Sequence, residues 1–368
     1  TVVIKEGVIA AVSQEDMEVP DAIQIDAQGQ YVAPGFIDIH VHGGGGHDFM
    51  DNEPDGFLAI AELHAKHGTT ALMPTTLSSE HQDLLDTLSV YETADVRNVK
   101  GAQFIGIHIE GPYFSMEQRG AQDPRYIRAP DPAEYQEIIA SSKAIKRWSA
   151  APELKGALEF AQYLTEKGIL PSIAHTNAIY EEVLPAFEKG FTHATHFYSC
   201  MSGVSRRNAY RYAGVIESAY LLDAMTVEII ADGIHLPPPL LKLVLKIKGA
   251  DRISLVTDAM RAAGMPPGPS ILGSRRDGLE VIVNVAKLKD RTAFAGSVAT
   301  MDTLVRNMVK MADATLEDAV KMASLSPANI IGLGDRKGSL VAGKDADIVI
   351  FDDNVNFMQT IVSGKSIY

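Results

Sequence analysis

Apolar runs of four to eight residues alternate with amphipathic stretches through the middle of this chain, which is typical of βα units that build a parallel sheet. Amphipathic helices fit the gaps, for instance at 55–67, 154–167 and 238–248, each with a glycine directly after it as a C-cap. The apolar runs predict strands at residues 36–42, 70–75, 104–110, 146–151, 169–175, 192–196, 226–232 and 252–258.

Eight such units predict an α/β fold, a (β/α)8 or TIM barrel. A doubly wound open sheet would fit the same number of strands. That fold usually carries a phosphate-binding glycine fingerprint after its first strand, and the glycine run at 43–46 lacks the required spacing.

The two ends of the chain have a different character. Residues 1–12 alternate around Glu6-Gly7 like a hairpin, and 22–32 read as further strand with a turn at Gln28-Gly29. Strand-like runs return at 338–351 and 359–368. We therefore expect both termini (1–33 and 335–368) to form one small β-sandwich domain beside a barrel at 34–334.

Polar residues stand at the carboxyl ends of the predicted strands, where the active sites of barrel enzymes assemble. The sequence therefore predicts a functional site at this end of the barrel. The residues concerned are His42, Glu110, His175, His196, Asp232 and Asp258.

Strand alternation places Asp38, His40 and His42 on one face of the first predicted strand. Two buried imidazoles need partners, and a divalent metal held by nitrogen would bring them together. The alternative is a pair of hydrogen-bonded core histidines. The glycine tract at 43–46 favours the metal, because it lets backbone approach a ligand closely.

Several roles are open for the remaining polar groups. Asp258 could be an ion-pair partner, a metal ligand or a general base, and one carboxylate can serve as both of the last two. His108 lies one layer below Glu110 and is interpreted as a core or supporting histidine. His193 lies on the opposite face of its strand from His196, which indicates a structural role.

Composition limits the kinds of partner. The chain has 368 residues, 46% of them hydrophobic and 22% charged, as in an ordinary globular protein. A net charge of -14 disfavours binding to nucleic acid or to an anionic membrane. A single cysteine, Cys200, excludes an internal disulfide, and we expect a cytoplasmic protein without membrane spans. The chain begins at Thr1, inside the strand-like alternation of residues 1–12 and without a methionine, which allows an N-terminal segment before it.

Several motifs carry a resemblance to a known family. Residues 34–43 (PGFIDIHVHG) resemble the first-strand signature of the amidohydrolase superfamily, and 338–347 (GSLVAGKDAD) resemble its returning C-terminal strand. Further segments resemble the N-acetylglucosamine-6-phosphate deacetylase family, in the same order along the whole chain. They are 108–113 (HIEGPY), 174–178 (AHTNA), 195–198 (THFY), 231–235 (ADGIH) and 256–259 (VTDA).

The resemblance implies a barrel with a terminal β-sandwich, usually dimeric, that removes acetate from an amino-sugar phosphate by metal-activated water. It implies Asp258 as the catalytic acid/base and His235 as the group that holds the oxyanion. One or two divalent ions are expected, zinc first, with iron, cobalt or manganese as alternatives. The implied metal-binding residues are His40, His42, Glu110, His175, His196 and Asp258, with Glu110 as the bridge.

The resemblance also implies a sugar pocket. Arg207 matches an arginine that binds phosphate in the partner subunit's site, although Arg206-Arg207 could equally be a solvated loop pair. The other positions that match the pocket are Ala121, Gln122, Ser199, Cys200, Asp232, Gly233, His235, Phe294, Ala295 and Gly296.

Three departures from the family pattern concern this pocket. Ser199-Cys200 replace the usual Asn-Ala, Gln122 replaces a histidine, and Asn208-Ala209-Tyr210 replace Glu-Pro-Gly. All three lie at the sugar and phosphate end, so hydrolysis is better supported than the identity of the sugar.

Two other functions stay open. One is an amidohydrolase acting on a different N-acyl hexosamine or on a cyclic amide such as a hydantoin. The other is a non-catalytic sugar-phosphate sensor. The presence of both Glu110 and Asp258 favours catalysis, because a binding protein does not need the pair.

Overall fold

The computed structural model of this protein describes residues 1–276, 278–283, 286–290 and 293–368. Within these ranges the strands are β1 (Val2–Lys5), β2 (Val8–Val12), β3 (Tyr31–Pro34), β4 (Phe36–Val41), β5 (Gly43–Gly44), β6 (His47–Asp48), β7 (Thr69–Thr76), β8 (Gln103–Phe104), β9 (Ile107–Glu110), β10 (Ile145–Ala150), β11 (Leu170–Ile173), β12 (His193–Ala194), β13 (Ser205–Arg207), β14 (Tyr210–Tyr212), β15 (Thr226–Ile229), β16 (Ile253–Leu255), β17 (Gly268–Leu272), β18 (Leu279–Val283), β19 (Lys287–Leu288), β20 (Ile348–Phe351), β21 (Phe357–Val362) and β22 (Lys365–Ser366).

Helices lie between the barrel strands, as predicted. Helix α7 has the predicted bounds, because Pro238 suits a first helical turn and Gly249 ends the helix. In this described part of the chain, no helix is long and apolar enough to cross a membrane. The helices are α1 (Pro54–Lys66), α2 (His81–Arg97), α3 (Pro132–Ser141), α4 (Ala157–Glu166), α5 (Tyr180–Glu188), α6 (Val215–Leu221), α7 (Pro238–Lys248), α8 (Met301–Ala312), α9 (Leu316–Ala323) and α10 (Leu325–Ile330), with short 3-10 turns at Phe49–Asp51, Met116–Gln118 and Ala250–Arg252.

The central sheet is a parallel barrel whose described strands run in the order β4, β7, β9, β10, β11, β12, β15 and β16. The two outer strands of this order are joined by backbone hydrogen bonds just beyond β16. His40 O accepts from Asp258 N at 2.9 Å, and His42 N donates to Ala259 O at 2.9 Å. The predicted (β/α)8 barrel is therefore confirmed, and the open doubly wound sheet is excluded.

Each of the eight predicted strands has a counterpart, but the third is broken. The predicted run 104–110 splits into β8 and β9, because Gly106 adopts a φ of 120° and donates its N–H to the Tyr91 hydroxyl at 3.0 Å. A Cβ at Gly106 would lie 2.2 Å from the Lys146 side chain. Only glycine fits this close approach between neighbouring strands.

The termini form small antiparallel sheets, as expected. Strands β1 and β2 pair as the predicted hairpin, and β3 joins the C-terminal strands in the order β22, β21, β20, β3. Ile9 N donates to Lys344 O and Ala346 N donates to Gly7 O, both at 2.8 Å, so the two ends are tied together. The exact domain boundaries at 33/34 and 334/335 stay a prediction.

One terminal strand was predicted too long. Of the run 22–32, only its last residues enter a strand, β3. Ile23 is 94% exposed, so the alternation there has no partner strand that could bury its apolar side. The predicted turn does form, with φ of 53° at Gln28 and 77° at Gly29.

Among the described residues, three small antiparallel units interrupt the βα repeat. The pair β5–β6 follows β4, the hairpin β13–β14 follows β12, and the three-stranded sheet β17–β18–β19 follows β16. All three lie in loops at the carboxyl ends of barrel strands, on the side of the site described next. The barrel strands β4 and β7 are buried along their whole length.

Candidate metal centre

Polar side chains from distant parts of the sequence converge at the carboxyl end of the barrel. Their ligand atoms form two groups, His40–His42–Glu110 and Glu110–His175–His196, each within a span of 4.8 Å. Asp258 lies beside the first group. Its Oδ1 is 3.4 Å from His40 Nε2 and 3.2 Å from His42 Nε2. The six residues predicted as metal-binding are thus brought together, and their role as ligands stays a prediction.

Glu110 is the residue shared by both groups. Its Oε1 lies 3.2 Å from His175 Nε2 and 3.0 Å from His196 Nε2. Its Oε2 lies 3.4 Å from His42 Nε2, and His40 Nε2 is 3.8 Å from Oε1. Oε1 therefore faces His175 and His196, with His40 farther away, and Oε2 faces His42. A carboxylate with its two oxygens turned toward different histidines could bridge two cations.

The three residues contributed by the ends of later strands have unusual backbone conformations. His175, His196 and Asp258 have φ of 47°, 28° and 48°, in the left-handed region that side chains with a Cβ disfavour. Each such residue costs about 1–3 kcal/mol and persists only where its surroundings enforce it. The chain leaves the strand abruptly at these points, and this turn directs the side chains toward the common centre.

Most of the imidazoles are oriented by hydrogen bonds from their outer nitrogens. His42 Nδ1 lies 3.2 Å from Thr75 O, and His175 Nδ1 lies 2.8 Å from Gln118 O. A backbone carbonyl accepts only, so each Nδ1 carries a proton, and in the neutral imidazole each Nε2 presents a lone pair to the centre. Nitrogen and carboxylate lone pairs that converge in this way repel one another unless protons or a cation lie between them. The donor set therefore fits a divalent metal.

A buried ion pair beneath the centre contacts residues of both groups. Glu228 Oε1 accepts from His40 Nδ1 at 2.6 Å and from the backbone N–H of His196 at 2.9 Å. Glu228 Oε2 pairs with Arg147 Nη1 at 2.5 Å, and both side chains are fully buried. Arg147 also donates to Thr195 Oγ1 at 2.8 Å. Such a buried pair is stable only when its remaining hydrogen-bonding groups are satisfied, as they are here.

Replacing Glu228 with glutamine is expected to weaken divalent-ion binding by about 10- to 100-fold, the usual cost of losing a hydrogen-bond partner of a metal-binding histidine. The neutral amide would no longer hold the His40 Nδ1–H firmly. Ion affinity is measured by competition with a chromophoric chelator on folded protein.

The control for this substitution is Glu166→Gln on the surface of α4, which should leave ion affinity unchanged. Glu228→Gln leaves the Arg147 charge buried without its partner, so the double variant Glu228→Gln/Arg147→Met is needed to separate stability from ion affinity. Unchanged ion affinity in both folded variants would contradict the proposed supporting role.

Charge compensation keeps the central carboxylates ionised. Burial alone would raise the pKa of Glu110, but hydrogen bonds from His175 and His196 outweigh it and hold that pKa well below its usual value. Burial would likewise raise the pKa of Asp258. The charge of His40 and the hydrogen bond from His42 hold it below its usual value. Both carboxylates are therefore available to accept a cation or a proton at neutral pH.

His235 lies in the loop after β15 and is fixed by a neighbouring aspartate. Its Nδ1 donates to Asp232 Oδ2 at 2.8 Å, and its backbone N–H donates to Asp232 Oδ1 at 2.8 Å. The opposite nitrogen, Nε2, is buried without a hydrogen-bond partner. The Phe294 ring packs against the imidazole, with 4.4 Å between ring centroids. This arrangement leaves one imidazole nitrogen free for a ligand.

Other residues predicted to line the sugar pocket lie close to Asp258 and His235. Gly296 has a φ of 64°, and a Cβ there would lie 2.8 Å from the Asp258 carbonyl oxygen. Ala295 is buried, whereas a Cβ at Gly233 would lie 2.9 Å from the sulfur of Met311. These positions require small residues because backbone and side chains crowd them.

The remaining pocket positions lie on loops. Cys200 has a φ of 51°, and a Cβ at Gly120 would lie 2.6 Å from its Sγ. Ser199 N donates to His196 O at 2.9 Å. Arg207 lies on the exposed β13–β14 hairpin, where its guanidinium is 5.5 Å from the Tyr212 ring centroid.

Residues 119–122 border a cavity as well as the centre. The cavity, of about 490 Å³, is lined by Arg119, Gly120, Gln122, Leu279, Leu288 and Lys289. Ala121 packs against the apolar cluster beneath the β17–β19 sheet. Gln122 is buried and donates its amide to Glu110.

Comparison with known proteins agrees with this geometry. Residues 31–367 match the amidohydrolase family. The chain belongs to the amidohydrolase family. An N-acetylglucosamine-6-phosphate deacetylase from Lysinibacillus sphaericus is 36% identical over 365 residues, 98% of this chain and 92% of that one. An N-acetylgalactosamine-6-phosphate deacetylase from Escherichia coli O157:H7 is 34% identical over 364 residues, 98% of this chain and 93% of that one.

Solved structures show the same similarity for this amidohydrolase. A crystal structure of N-acetyl-D-glucosamine-6-phosphate deacetylase from Mycobacterium smegmatis superimposes with a TM-score of 0.91 at 30% identity, covering 100% of this chain and 95% of that one. The enzyme from Pasteurella multocida gives a TM-score of 0.91 at 31% identity, covering 99% and 94%. The family predicted from the sequence motifs is therefore confirmed.

The interpretation of two histidines as structural is also confirmed. His108 Nε2 lies 2.7 Å from Ser149 Oγ, and its Nδ1 lies 3.3 Å from Thr75 Oγ1. His193 Nε2 lies 3.3 Å from Glu228 Oε2. Both rings are held by protein groups within the barrel.

Sequence reasoning missed the Arg147–Glu228 pair of this amidohydrolase. A signal for it exists, since each is a charged residue inside a predicted barrel strand. A charge in that position requires an opposite charge nearby. The sequence does not show which of the other strands provides it.

Proposed function

We propose that this amidohydrolase removes the acetyl group from N-acetylglucosamine 6-phosphate, giving glucosamine 6-phosphate and acetate, a step of amino-sugar metabolism. The observation that carries the proposal is the position of Asp258 beside two histidine groups that share Glu110. A carboxylate of this kind, next to a cation site at the barrel mouth, suits hydrolysis by activated water. The names of the similar enzymes support the choice of substrate.

The groups proposed to hold one or two divalent ions are imidazole nitrogens and carboxylate oxygens. This donor set accommodates zinc, and also iron, cobalt or manganese. When bound, such ions would lower the pKa of a water molecule and polarise the acetamide carbonyl. The proposed ligands are His40, His42, Glu110, His175 and His196, with Asp258 at the edge of the first group.

Asp258 is proposed to move the proton. Its ionised carboxylate accepts a proton from the attacking water and returns it to the sugar nitrogen, so that an amine leaves instead of an amide anion. His235 is proposed to donate a hydrogen bond from Nε2 to the oxygen of the tetrahedral intermediate. The free, buried Nε2 supports that role, because Asp232 fixes the orientation of the ring.

The acetyl sugar is proposed to lie between Asp258 and the loop residues near it. Gly233, Phe294, Ala295 and Gly296 are proposed as sugar contacts, with Ala121, Ser199 and Cys200 on the opposite side. Arg207 is proposed to bind phosphate in the partner's site of a homodimer. Arg207 is exposed on the β13–β14 hairpin, which supports its extension into a partner subunit's site. Its guanidinium suits phosphate. A cytoplasmic location stays a prediction.

Acetate release from a panel of sugars tests the proposal. We expect kcat/KM for N-acetylglucosamine 6-phosphate to exceed that for unphosphorylated N-acetylglucosamine by about 10- to 100-fold, the discrimination expected from one charged hydrogen-bonded contact. A hydantoin serves as the cyclic-amide control. Equal turnover without the phosphate, or hydrolysis of the hydantoin alone, would overturn the proposed substrate.

A second candidate is the epimer N-acetylgalactosamine 6-phosphate. It is favoured by the similar enzyme from Escherichia coli O157:H7, which is 34% identical and covers this chain almost completely. The altered pocket positions Gln122, Ser199 and Cys200 also allow a different sugar. Including both epimers in the panel decides between them by the ratio of their kcat/KM values.

A further inference from the structure

Gln122 forms a hydrogen-bonded link between a backbone amide and the shared carboxylate. Its Nε2 donates to Glu110 Oε2 at 2.8 Å, and its Oε1 accepts from Ser78 N at 2.8 Å. The side chain is buried, with 3% of its surface exposed. Ser78 follows β7, while Gln122 and Glu110 belong to the segment around and after β9, so the link joins two neighbouring barrel loops.

The orientation of this amide is fixed by its partners. A backbone N–H can only donate, so the amide oxygen of Gln122 must face Ser78. The amide NH2 then faces Glu110 Oε2, at 2.8 Å. The glutamine therefore donates to one particular oxygen, Oε2, and leaves Oε1 to His175 and His196.

We infer that Gln122 is a positioning residue that orients Glu110 to bridge two cations, in place of the sugar contact that the family pattern implies. The inference rests on the proposed metal site. Oε2 is the oxygen that faces His42, at 3.4 Å from its Nε2. By holding this oxygen, Gln122 sets the carboxylate plane so that Oε2 faces His42 while Oε1 faces His175 and His196.

A glutamine suits this task because it is neutral. A cationic donor at the same position would partly cancel the charge of Glu110 and compete with a bound ion. An amide orients the carboxylate through a single hydrogen bond and leaves its full negative charge for the ions. The replacement of the family's usual histidine by Gln122 thus affects the metal end of the site, whereas the family pattern assigns this position to the sugar end.

Ion content and ion affinity of Gln122→Met test the inference. Methionine has a similar length and no donor, so we expect folded protein to fall from two ions to one per chain. Affinity at the His40–His42 position should drop by about 10- to 100-fold. The measurements are elemental analysis and titration with zinc against a competing chelator. In turnover, kcat should fall while KM for the sugar phosphate stays within about twofold, as for lost transition-state stabilisation.

Two further variants complete the test. Gln122→Asn keeps the amide on a side chain that is one methylene shorter. The amide should then not reach Glu110, so this variant should show the same loss of one ion. Gln82→Met on the surface of α2, where the glutamine donates to Asp86 Oδ1 at 2.9 Å, is the matched control and should keep both ions. Circular dichroism and gel filtration confirm that each variant is folded.

The possible outcomes separate this inference from the proposed function. Two ions of unchanged affinity in both Gln122 variants would overturn the inference and leave the deacetylase proposal intact. A raised KM with unchanged ion content would show that Gln122 contacts substrate, which also overturns it. Wild-type protein that binds fewer than two zinc ions would overturn the bridging role directly, and protein that binds none would overturn the metal site as well.

Discussion

Replacing Asp258 with asparagine is expected to lower kcat for acetate release by about 10³-fold, within the range that general acid–base groups usually contribute. The amide cannot accept a proton from water or return it to the leaving nitrogen. It is close in size to the carboxylate, so the contacts near His40 and His42 should persist. Steady-state kinetics with N-acetylglucosamine 6-phosphate, together with elemental analysis of the purified variant, measures the effect.

Asp313→Asn provides the matched control, because Asp313 is an exposed aspartate that pairs with Lys242 at 2.5 Å. This variant should keep wild-type kcat. If Asp258→Asn retained full turnover with its ions bound, Asp258 would not be the group that moves the proton. A loss of activity caused by loss of ions would instead assign Asp258 to metal binding.

Removing divalent ions with a chelator should abolish acetate release and lower the melting temperature, and adding zinc back should restore both. The loss in stability follows from mass action, since an ion present at 100 times its dissociation constant stabilises the folded state by about 2.7 kcal/mol. Without cations, only protons on the surrounding imidazoles would compensate the buried Glu110 carboxylate. Differential scanning calorimetry and the acetate assay, performed on the same samples, test both expectations.

Glu110→Ala is the companion variant for this experiment. It removes the carboxylate shared by both histidine groups, so re-added zinc should not restore turnover. Full activity of the chelated wild-type protein would refute a metal-dependent reaction. Recovery of activity in Glu110→Ala would refute the bridging carboxylate while leaving metal dependence standing.

Local pattern was enough to predict most of the barrel. The alternation at 36–42 separates a polar face of the strand from an apolar face, and it correctly places His40 and His42 on the same side. The polar residues at strand ends were predicted to meet because parallel barrel strands end on one rim. At 22–32 the turn and the last strand residues were predicted correctly, but the strand before the turn was wrong, since alternation alone cannot form a strand where no neighbouring strand is available.

The supporting contacts could not be predicted in the same way. Gln122 reaches a backbone amide 44 residues away, and His40 reaches Glu228 across 188 residues. A sequence pattern shows how residues are spaced along one strand or helix. It does not show contacts between residues that belong to different strands, helices or loops, as these partners do. The β17–β19 sheet was missed as well, because its short strands fall in a stretch that lacks the βα period.

The sequence by itself determined the barrel, because strand periodicity and strand ends are local properties, and its motifs identified the family. Only the tertiary structure decided which oxygen of Glu110 faces which histidines, and that Glu228 hydrogen-bonds to His40 and Gln122 to Glu110. These contacts require donor and acceptor atoms from different strands and loops to lie about 3 Å apart. They also depend on which side-chain and backbone groups are still unpaired after the strands have formed their backbone hydrogen bonds.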